Sequence, residues 1–317
     1  MKEGGVFMDF LIGHVQDYEK ATGCTVVLFP EGAVASCDVR GGAPATRETD
    51  LLDPHCLVEK VDGVLLAGGS AFGLCAADGV MSWCLENDKG FDTGFGLVPI
   101  IPAACIFDFP VGEKQVWPDY EMGIKACENA QEPFKLPMGN WGAGTGATVG
   151  KYAGIERAMK SGIGWHAIQK GKLKVYALAV VNAFGAVLDR NGALIAGAVG
   201  ENGEVLAFDN FADGEDVCYQ WGENTTLAVV VTNGKFTKSD CKRISIMAHD
   251  GMARTILPVH TPFDGDVVFC AATGKEDSSV MDTGTMAAEA LSEAIRKAVR
   301  FAKSAYGFKG RGESPII

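Results

Sequence analysis

A run of apolar, mostly β-branched residues at positions 227–231 (LAVVV) constrains the fold of this chain more than any other stretch. An apolar run of this length without polar interruption is typical of a buried strand. It follows directly on Asn224, Thr225 and Thr226, and a polar, glycine-containing segment precedes these residues. The sequence therefore predicts that Thr225 lies where a loop leads into a core strand.

The position of Thr225 matters because an N-terminal threonine has its own base. Cleavage of the Asn224–Thr225 bond would free an α-amine that titrates near pH ~8 rather than ~10. Its neutral fraction can accept the proton of the Thr225 hydroxyl, so one residue supplies both nucleophile and base. Thr225 itself can make the cut by attacking the Asn224 carbonyl, and the acidic segment 200–222 before it would tolerate a cut. A plain edge of a core strand is the alternative interpretation.

The composition of the chain limits the classes of partner that the protein can bind. The 317 residues have a formal net charge of −12 and no cluster of lysine and arginine, which argues against nucleic acid or an anionic membrane as partner. The ten cysteines form no C-x-x-C pair, which indicates reduced thiols rather than a zinc site or a disulfide framework. No repeat or low-complexity tract marks a second domain, so residues 1–317 are predicted to form a single domain.

The apolar stretches of the chain indicate a cytoplasmic protein. The chain opens without a secretory signal pattern, and its longest apolar stretch, residues 97–111, is interrupted by three prolines and an aspartate. Such a stretch cannot form a membrane-spanning helix. We therefore expect a soluble cytoplasmic protein whose partner is a small peptide or amide substrate, without contact to a membrane.

Two glycine-rich segments come close to known motifs but fail their requirements. Residues 68–73 (GGSAFG) follow a short apolar strand, yet a nucleophile elbow needs glycine where Phe72 stands. Residues 142–151 (GAGTGATVGK) lack the glycine and the hydroxyl residue that a phosphate-binding loop requires. Both segments are predicted to be tight turns that pack closely. Lys151 is then either a solvated charge or a cation of a site.

A pair of apolar segments near the start of the chain predicts a β-hairpin. Residues 22–29 and 33–40 have strand composition, and Pro30-Glu31-Gly32 between them has the composition of a turn. Helical spacing of apolar residues predicts helices elsewhere in the chain. They are expected from Leu74 to about Leu85, after a cap at Thr237 or Ser239, and from Thr285 to about Ala305.

Polar residues at strand ends are candidates for a site. Asn182 ends the apolar strand predicted over residues 175–181, where it is either a turn residue or an amide donor to an oxyanion. Asp264 and Asp266 precede another predicted strand, and an extended backbone would place both side chains on one side. Two such carboxylates can orient a hydroxyl and hold an ammonium, and their repulsion raises the pKa of one of them. A polar hairpin tip is the alternative.

Five segments of the chain, in the same order, resemble the DmpA-type aminopeptidases, also called β-peptidyl aminopeptidases, and especially the branch with the nylon-oligomer hydrolases. These segments are residues 22–27 (TGCTVV), 68–73, 142–151, 224–227 (NTTL) and 260–266 (HTPFDGD). The resemblance implies an α+β fold, a four-layer α-β-β-α sandwich. It also implies a precursor that cleaves itself into residues 1–224 and 225–317, which stay associated, and a homo-oligomer that is a tetramer or larger.

The resemblance gives a role to the residues around the predicted cut. Thr225 matches the new N-terminal nucleophile, and Asn224 matches the residue before the cut. Asp264 and Asp266 match the acidic pair that orients the nucleophile in the nylon-hydrolase branch. In the aminopeptidases proper, a serine and a glutamate hold these two places.

Three further positions match the family's site. Asn182 matches the oxyanion-hole amide, and Lys151 matches a lysine of the site. Where the family usually has a tyrosine, this chain has Phe107, a candidate for the substrate pocket. The missing hydroxyl weakens the inference of a strict aminopeptidase.

Residues and resemblance together predict an N-terminal-threonine amidohydrolase or aminopeptidase that acts through an acyl-threonine intermediate. No metal or organic cofactor is expected, because nucleophile, base and oxyanion donor are all protein groups. The alternatives are an endo-amidase of the 6-aminohexanoate (nylon) oligomer hydrolase type, an acyltransferase similar to ornithine acetyltransferases, and a non-catalytic binding protein. Chain cleavage would separate the enzymes from the binding protein, and a competing amine would separate transfer from hydrolysis.

Overall fold

The chain folds into a mixed arrangement of β-strands and α-helices. The computed structural model describes residues 9–208 and 224–314, so most of the acidic segment 200–222 lies outside the described residues. The strands are β1 (Leu11–Asp17), β2 (Thr22–Val39), β3 (Thr46–Arg47), β4 (Lys60–Ala67), β5 (Phe91–Asp92), β6 (Leu97–Val98), β7 (Ala103–Cys105), β8 (Thr148–Val149), β9 (Met159–Lys160), β10 (Ile163–Lys170), β11 (Leu173–Asn182), β12 (Ala186–Leu188), β13 (Leu194–Ala196), β14 (Ala198–Val199), β15 (Val205–Leu206), β16 (Thr225–Gly234), β17 (Ile256–Leu257) and β18 (Val267–Glu276). The α-helices are α1 (Ala76–Glu86), α2 (Tyr120–Glu128), α3 (Lys238–Ala253) and α4 (Val280–Arg300).

The strand predicted after Thr225 is confirmed as β16, an inner strand of the main sheet. Within the described residues the sheet has the order β10-β11-β16-β18-β2-β4-β7-β3, and β1 also pairs with β2. β16 is antiparallel to β11 and parallel to β18. All ten residues of β16 are buried. An inner strand covered on both faces needs apolar residues throughout, which explains the uninterrupted LAVVV run.

The hairpin predicted over residues 22–40 is wrong, because these residues form one long strand, β2. Its first half pairs with β1 and β4, and its second half pairs with β18. The pairing with β4 shifts in register between Leu28 and Ala33, and Gly32 has a φ of +68°. Pro30-Glu31-Gly32 therefore bends the strand like a β-bulge instead of reversing it.

In the described part of the chain, alternating side chains of the strands face different apolar cores, and these cores lie between four layers. Along β16, residues 227, 229 and 231 belong to a central core, and residues 228 and 230 belong to a core that α3 and α4 cover. On β4, Leu66 belongs to the central core, whereas Leu65 lies in the core of α1 and α2. The bend in β2 lets one strand contribute to both strand layers. The predicted four-layer α-β-β-α sandwich is confirmed.

The helices that cover the β16 layer begin at polar caps. Thr237 caps α3 as predicted, since its side chain accepts from the Asp240 N–H and the Asp240 side chain accepts from the Thr237 N–H. α4 begins at Val280, five residues before the predicted start at Thr285, and Ser279 caps it by accepting from the Asp282 N–H. None of the helices in the described part of the chain has the length and hydropathy needed to cross a membrane.

Candidate active site

Thr225 is the first residue of β16 and lies opposite the last residue of β11. In the antiparallel ladder of these strands, Asn182 is the direct partner of Thr225. Residues directly opposite each other have side chains on the same face with Cβ atoms about 4.5–5.5 Å apart. Thr225 is 4% exposed and Asn182 is fully buried. The register of the sheet thus brings together two candidate residues that are 43 positions apart in the sequence.

The turn between Asp264 and Asp266 holds the peptide bond that precedes Thr225. The Asn224 carbonyl accepts a hydrogen bond from the Gly265 N–H at 2.9 Å, and the Thr225 hydroxyl also donates to this carbonyl. A Cβ atom on Gly265 would lie 2.7 Å from Thr225 Oγ1, so glycine leaves room for the hydroxyl. A hydroxyl beside a carbonyl whose oxygen already accepts an N–H is well placed to attack that carbonyl.

Three neighbours fix the orientation of the Asn182 amide. Its Oδ1 accepts from the Thr148 N–H at 3.0 Å and from Lys151 Nζ at 2.8 Å, and its Nδ2 donates to the Phe107 carbonyl at 2.9 Å. Because both the cation and the N–H point at Oδ1, the NH₂ end of the amide faces away from Lys151. Lys151 also donates to the Asn182 carbonyl at 3.0 Å and is 5% exposed. Lys151 is therefore not a solvated charge, and its role as a cation of a site stays a prediction.

Among the described residues, the Asp266 side chain has three hydrogen-bonding contacts, two of them with His260. Its Oδ1 accepts from the Thr226 N–H at 2.6 Å, and its Oδ2 accepts from the His260 N–H at 3.1 Å. His260 Nδ1 lies 2.8 Å from the same Oδ2, and the His260 ring packs edge-on against His249 of α3 at 4.7 Å. His260 has a φ of +57°, which is uncommon outside glycine. Asp266 therefore holds the backbone of β16 one residue after Thr225, and His260 holds Asp266.

Asp264 has different surroundings from Asp266. Its Oδ2 accepts from the N–H and the hydroxyl of Thr261 at 2.8 and 2.5 Å, and its Oδ1 lies 3.5 Å from the Phe184 nitrogen. Burial, and next the charge of Asp266, raises the pKa of Asp264 from 3.8 to about 6. The direction agrees with the repulsion expected from the sequence. Asp264 can therefore take up a proton close to neutral pH.

The glycine-rich segment 142–151 supports the Asn182 amide as a tightly packed backbone. A Cβ atom on Gly144 would lie 2.3 Å from the Ile163 nitrogen, so no larger residue fits. Lys160 is fully buried, and its Nζ donates to the carbonyls of Ala147 at 2.8 Å and Ser161 at 2.6 Å. Burial lowers the pKa of Lys160 to about 7. This packing positions the backbone that presents the Thr148 N–H to Asn182.

Sequence reasoning missed three contributors to the site. His260 and Gly265 lie in the segment that contains both aspartates, but their contacts depend on a positive φ and on a close approach to β16. Thr148 contributes through its backbone N–H, for which side-chain patterns give no signal. The glycine between the two aspartates was the signal that could have indicated a close backbone approach.

Comparison with known proteins places these residues in a family context. The sequence profile described as Peptidase family S58 matches residues 8–313. A protein named as an uncharacterised aminopeptidase of Mycobacterium bovis is 41% identical over 312 residues, which cover 90% of this chain and 88% of the relative. A 6-aminohexanoate-oligomer endohydrolase of Kocuria sp. is 32% identical over 273 residues, which cover 84% of this chain and 73% of the relative.

Solved structures share the fold at low sequence identity. A β-aminopeptidase of Burkholderia sp. superimposes with a TM-score of 0.69 at 18% identity and covers 96% of this chain and 87% of that structure. A second structure is an L-aminopeptidase D-Ala-esterase/amidase of Ochrobactrum anthropi, which is described as a variant of the Ntn-hydrolase fold. It superimposes with a TM-score of 0.66 at 16% identity, and the match covers 94% of this chain and 86% of that structure. At such identities the likeness establishes the fold alone.

Proposed function

This chain belongs to peptidase family S58, and from that membership and the geometry around Thr225 we propose that it is a self-processing N-terminal-threonine amidohydrolase. Its substrates are peptides or other small amides. The observation that supports the proposal most is the Thr225 hydroxyl against the Asn224 carbonyl, at a strand end opposite Asn182.

Self-processing starts with Thr225 Oγ1 attacking the Asn224 carbonyl carbon. Negative charge then develops on the carbonyl oxygen, where the Gly265 N–H already donates. The hydroxyl proton passes to the Thr225 nitrogen, the Asn224–Thr225 C–N bond breaks, and an ester joins Asn224 to Oγ1. Water hydrolyses this ester, which leaves a carboxylate at Asn224 and an α-amine at Thr225.

Turnover of substrate uses the same oxygen with a new base. The freed α-amine accepts the hydroxyl proton as Oγ1 attacks the scissile carbonyl, and it returns the proton to the leaving amine. Asn182 Nδ2 donates to the oxyanion, and the Lys151 charge beside Oδ1 polarises that amide. Asp266 holds the backbone next to Thr225 through the Thr226 N–H. The two aspartates stabilise the ammonium form of Thr225. Water then hydrolyses the acyl-threonine.

Intact-mass analysis tests the processing step. Purified protein is expected to give two fragments, one ending at Asn224 and one beginning at Thr225. Thr225→Ala is expected to give only the full-length chain and no amide hydrolysis. The matched control is Thr226→Val, because Thr226 Oγ1 is buried and has no hydrogen-bond partner among the described residues. This variant should still cleave. A full-length, uncleaved species that hydrolyses amides would refute the proposed mechanism.

An endo-amidase acting within oligomers is the second candidate. The 32% identity to a 6-aminohexanoate-oligomer endohydrolase favours it, and so does Phe107, which has no hydroxyl for a substrate amine. A panel of aminoacyl amides, β-peptides and 6-aminohexanoate oligomers on processed protein separates the candidates, because internal products form only in endo cleavage. The cytoplasmic location and the tetramer or larger assembly stay predictions.

A further inference from the structure

Four aromatic side chains form a continuous series, the aromatic row, that begins beside the site. Phe107, whose carbonyl accepts from Asn182, has its ring centroid 5.1 Å from that of Phe109. The Phe109 centroid lies 6.4 Å from that of Phe72, and Phe72 stacks on Trp117 at 4.7 Å. Phe107 and Phe109 are half-buried, whereas Phe72 is 58% and Trp117 36% exposed. The aromatic row thus runs from the oxyanion amide to the surface.

Asp108 joins the two loops that bear the aromatic row. It is buried, and it accepts from the Gly69 N–H at 2.7 Å and from the Thr22 hydroxyl at 2.8 Å. Gly69 has a φ of +79°, and a Cβ atom on it would lie 2.2 Å from Trp117 Cβ. The glycine segment 68–73, which fails as a nucleophile elbow, therefore serves to bring Phe72 and Trp117 together. The surface is held in place from within and not by contacts between exposed rings alone.

The exposure of these rings calls for a physical reason. Apolar rings in water are unfavourable, and contiguous exposed apolar patches mark binding sites more often than isolated apolar residues do. Phe95 is fully exposed and is an example of an isolated apolar residue. The aromatic row differs because the backbone carbonyl of its inner member, Phe107, accepts a hydrogen bond from Asn182. The aromatic row is therefore an exposed apolar patch that continues from the residue bonded to the Asn182 amide.

We propose that the aromatic row is a substrate subsite that binds an apolar, preferentially aromatic, side chain of the amide substrate. The inference rests on the proposed function, since it takes the scissile carbonyl to lie between Thr225 and Asn182. Phe107 has no hydroxyl, so the inner end of the subsite is apolar as well. A substrate ring that packs on Phe109 and Phe72 loses contact with water and gains offset or edge-to-face ring contacts.

Substrate pairs that differ only in one side chain test the subsite. The ratio of kcat/KM for phenylalanine p-nitroanilide to that for alanine p-nitroanilide is measured on processed protein, and the corresponding β-amino acyl pair is measured beside it. Phe72→Ala and Trp117→Ala are expected to lower the ratio by ~10-fold or more, mainly through KM for the aromatic member. The alanine member has no ring for the subsite to bind, so its kcat/KM is the internal reference of each ratio.

Phe95→Ala is the matched control, because it removes an exposed phenylalanine outside the aromatic row and should leave the ratio unchanged. Intact mass of each variant reports separately on Thr225, so a failure of self-processing is distinguishable from a failure of the subsite. An unchanged ratio in both row variants, or no hydrolysis of either pair by processed protein, overturns the inference. A change of oligomeric mass with an unchanged ratio would also overturn it and identify the surface as a contact between copies.

Discussion

At the scale of single residues, Asp264 and Asp266 are identical side chains with different surroundings. Asp266 accepts from the N–H groups of Thr226 and His260, so it holds the backbone of β16 next to Thr225. The Asp264 side chain accepts chiefly from Thr261 and feels the charge of Asp266. Burial and repulsion raise the pKa of Asp264 to about 6, and this implies a specific dependence of stability on pH.

Asp264→Asn is expected to raise the free energy of unfolding at pH 8. Because the folded pKa of Asp264 lies above its ordinary value of 3.8, the folded protein binds the proton more tightly than the unfolded chain. Asp264 thus destabilises the protein above pH about 6, and the effect disappears as the pH falls below about 4. The variant should be more stable by about 1–3 kcal/mol at pH 8 and equal to the parent at pH 4. Thermal melts of the Thr225→Ala background at both pH values, with and without Asp264→Asn, measure this. Lower stability at pH 8 would contradict the prediction.

The variants His260→Ala and His260→Asn test whether His260 positions Asp266 through its hydrogen bond or only fills space with its ring. Alanine removes the ring nitrogen that lies 2.8 Å from Asp266 and leaves a residue that resists the φ of +57°. Asparagine keeps a donor at a similar distance from the backbone and tolerates positive φ. A hydrogen bond to a charged group contributes about 1.5 kcal/mol or more, so the alanine variant should self-cleave ~10-fold more slowly. The asparagine variant should recover most of the rate. The half-time of self-cleavage of each variant is measured by gel electrophoresis. If the alanine and asparagine variants cleave at the same rate, the role of the ring is purely steric.

Residues of the site differ in how far the sequence alone could predict them. Thr225, Asn182 and the two aspartates were identifiable because each stands where an apolar strand begins or ends. Whether Asn182 faces Thr225 depends on the register between β11 and β16, which a single sequence does not specify. Contacts that run through backbone groups, such as the Gly265 N–H on Asn224, leave no side-chain pattern to find.

At the scale of secondary-structure elements, β2 shows why a local pattern misleads. Pro30-Glu31-Gly32 is a turn sequence between two apolar segments, and local chemistry alone favours a hairpin. The second half of β2 finds a better partner in β18, which begins more than 200 residues later. Non-local pairing therefore decides whether the bend redirects the strand or reverses it. By contrast, the strand at residues 225–234 and the cap at Thr237 depend on local signals and were predicted correctly.

Gly32→Ala tests whether the bend depends on a left-handed backbone. Glycine adopts the φ of +68° without strain, whereas alanine in this conformation lowers the stability of the folded state by about 1 kcal/mol or more. The nearest atom to a new Cβ is 3.2 Å away in the flexible Lys60 side chain, so steric overlap adds little. The melting temperature should fall by about 2 °C. The melting temperature of Gly32→Asn should fall by less, because asparagine tolerates this φ. Equal stability of the alanine variant would contradict the assignment of the bend.

At the scale of the whole molecule, the proposed cut lies inside the shared core and not between two bodies. β16 follows the cut but pairs with β11 on one side, and β18 pairs with β2 on the other. α4, also after the cut, lies in one apolar core with β11 residues that precede it. Fragments 1–224 and 225–317 would therefore each expose a large apolar surface if they separated, and hydrophobic burial opposes that strongly.

The cleaved protein is accordingly expected to behave as one folded unit. Size-exclusion chromatography without denaturant should elute both fragments together, and urea should unfold them in a single transition. Because unfolding of the cleaved form also separates two chains, its midpoint should rise with protein concentration. In the uncleaved Thr225→Ala chain this linkage is absent, so its midpoint should be independent of concentration as long as its assembly state does not change. Elution of free fragment 225–317 under native conditions would show that the interleaved strands do not hold the two fragments together.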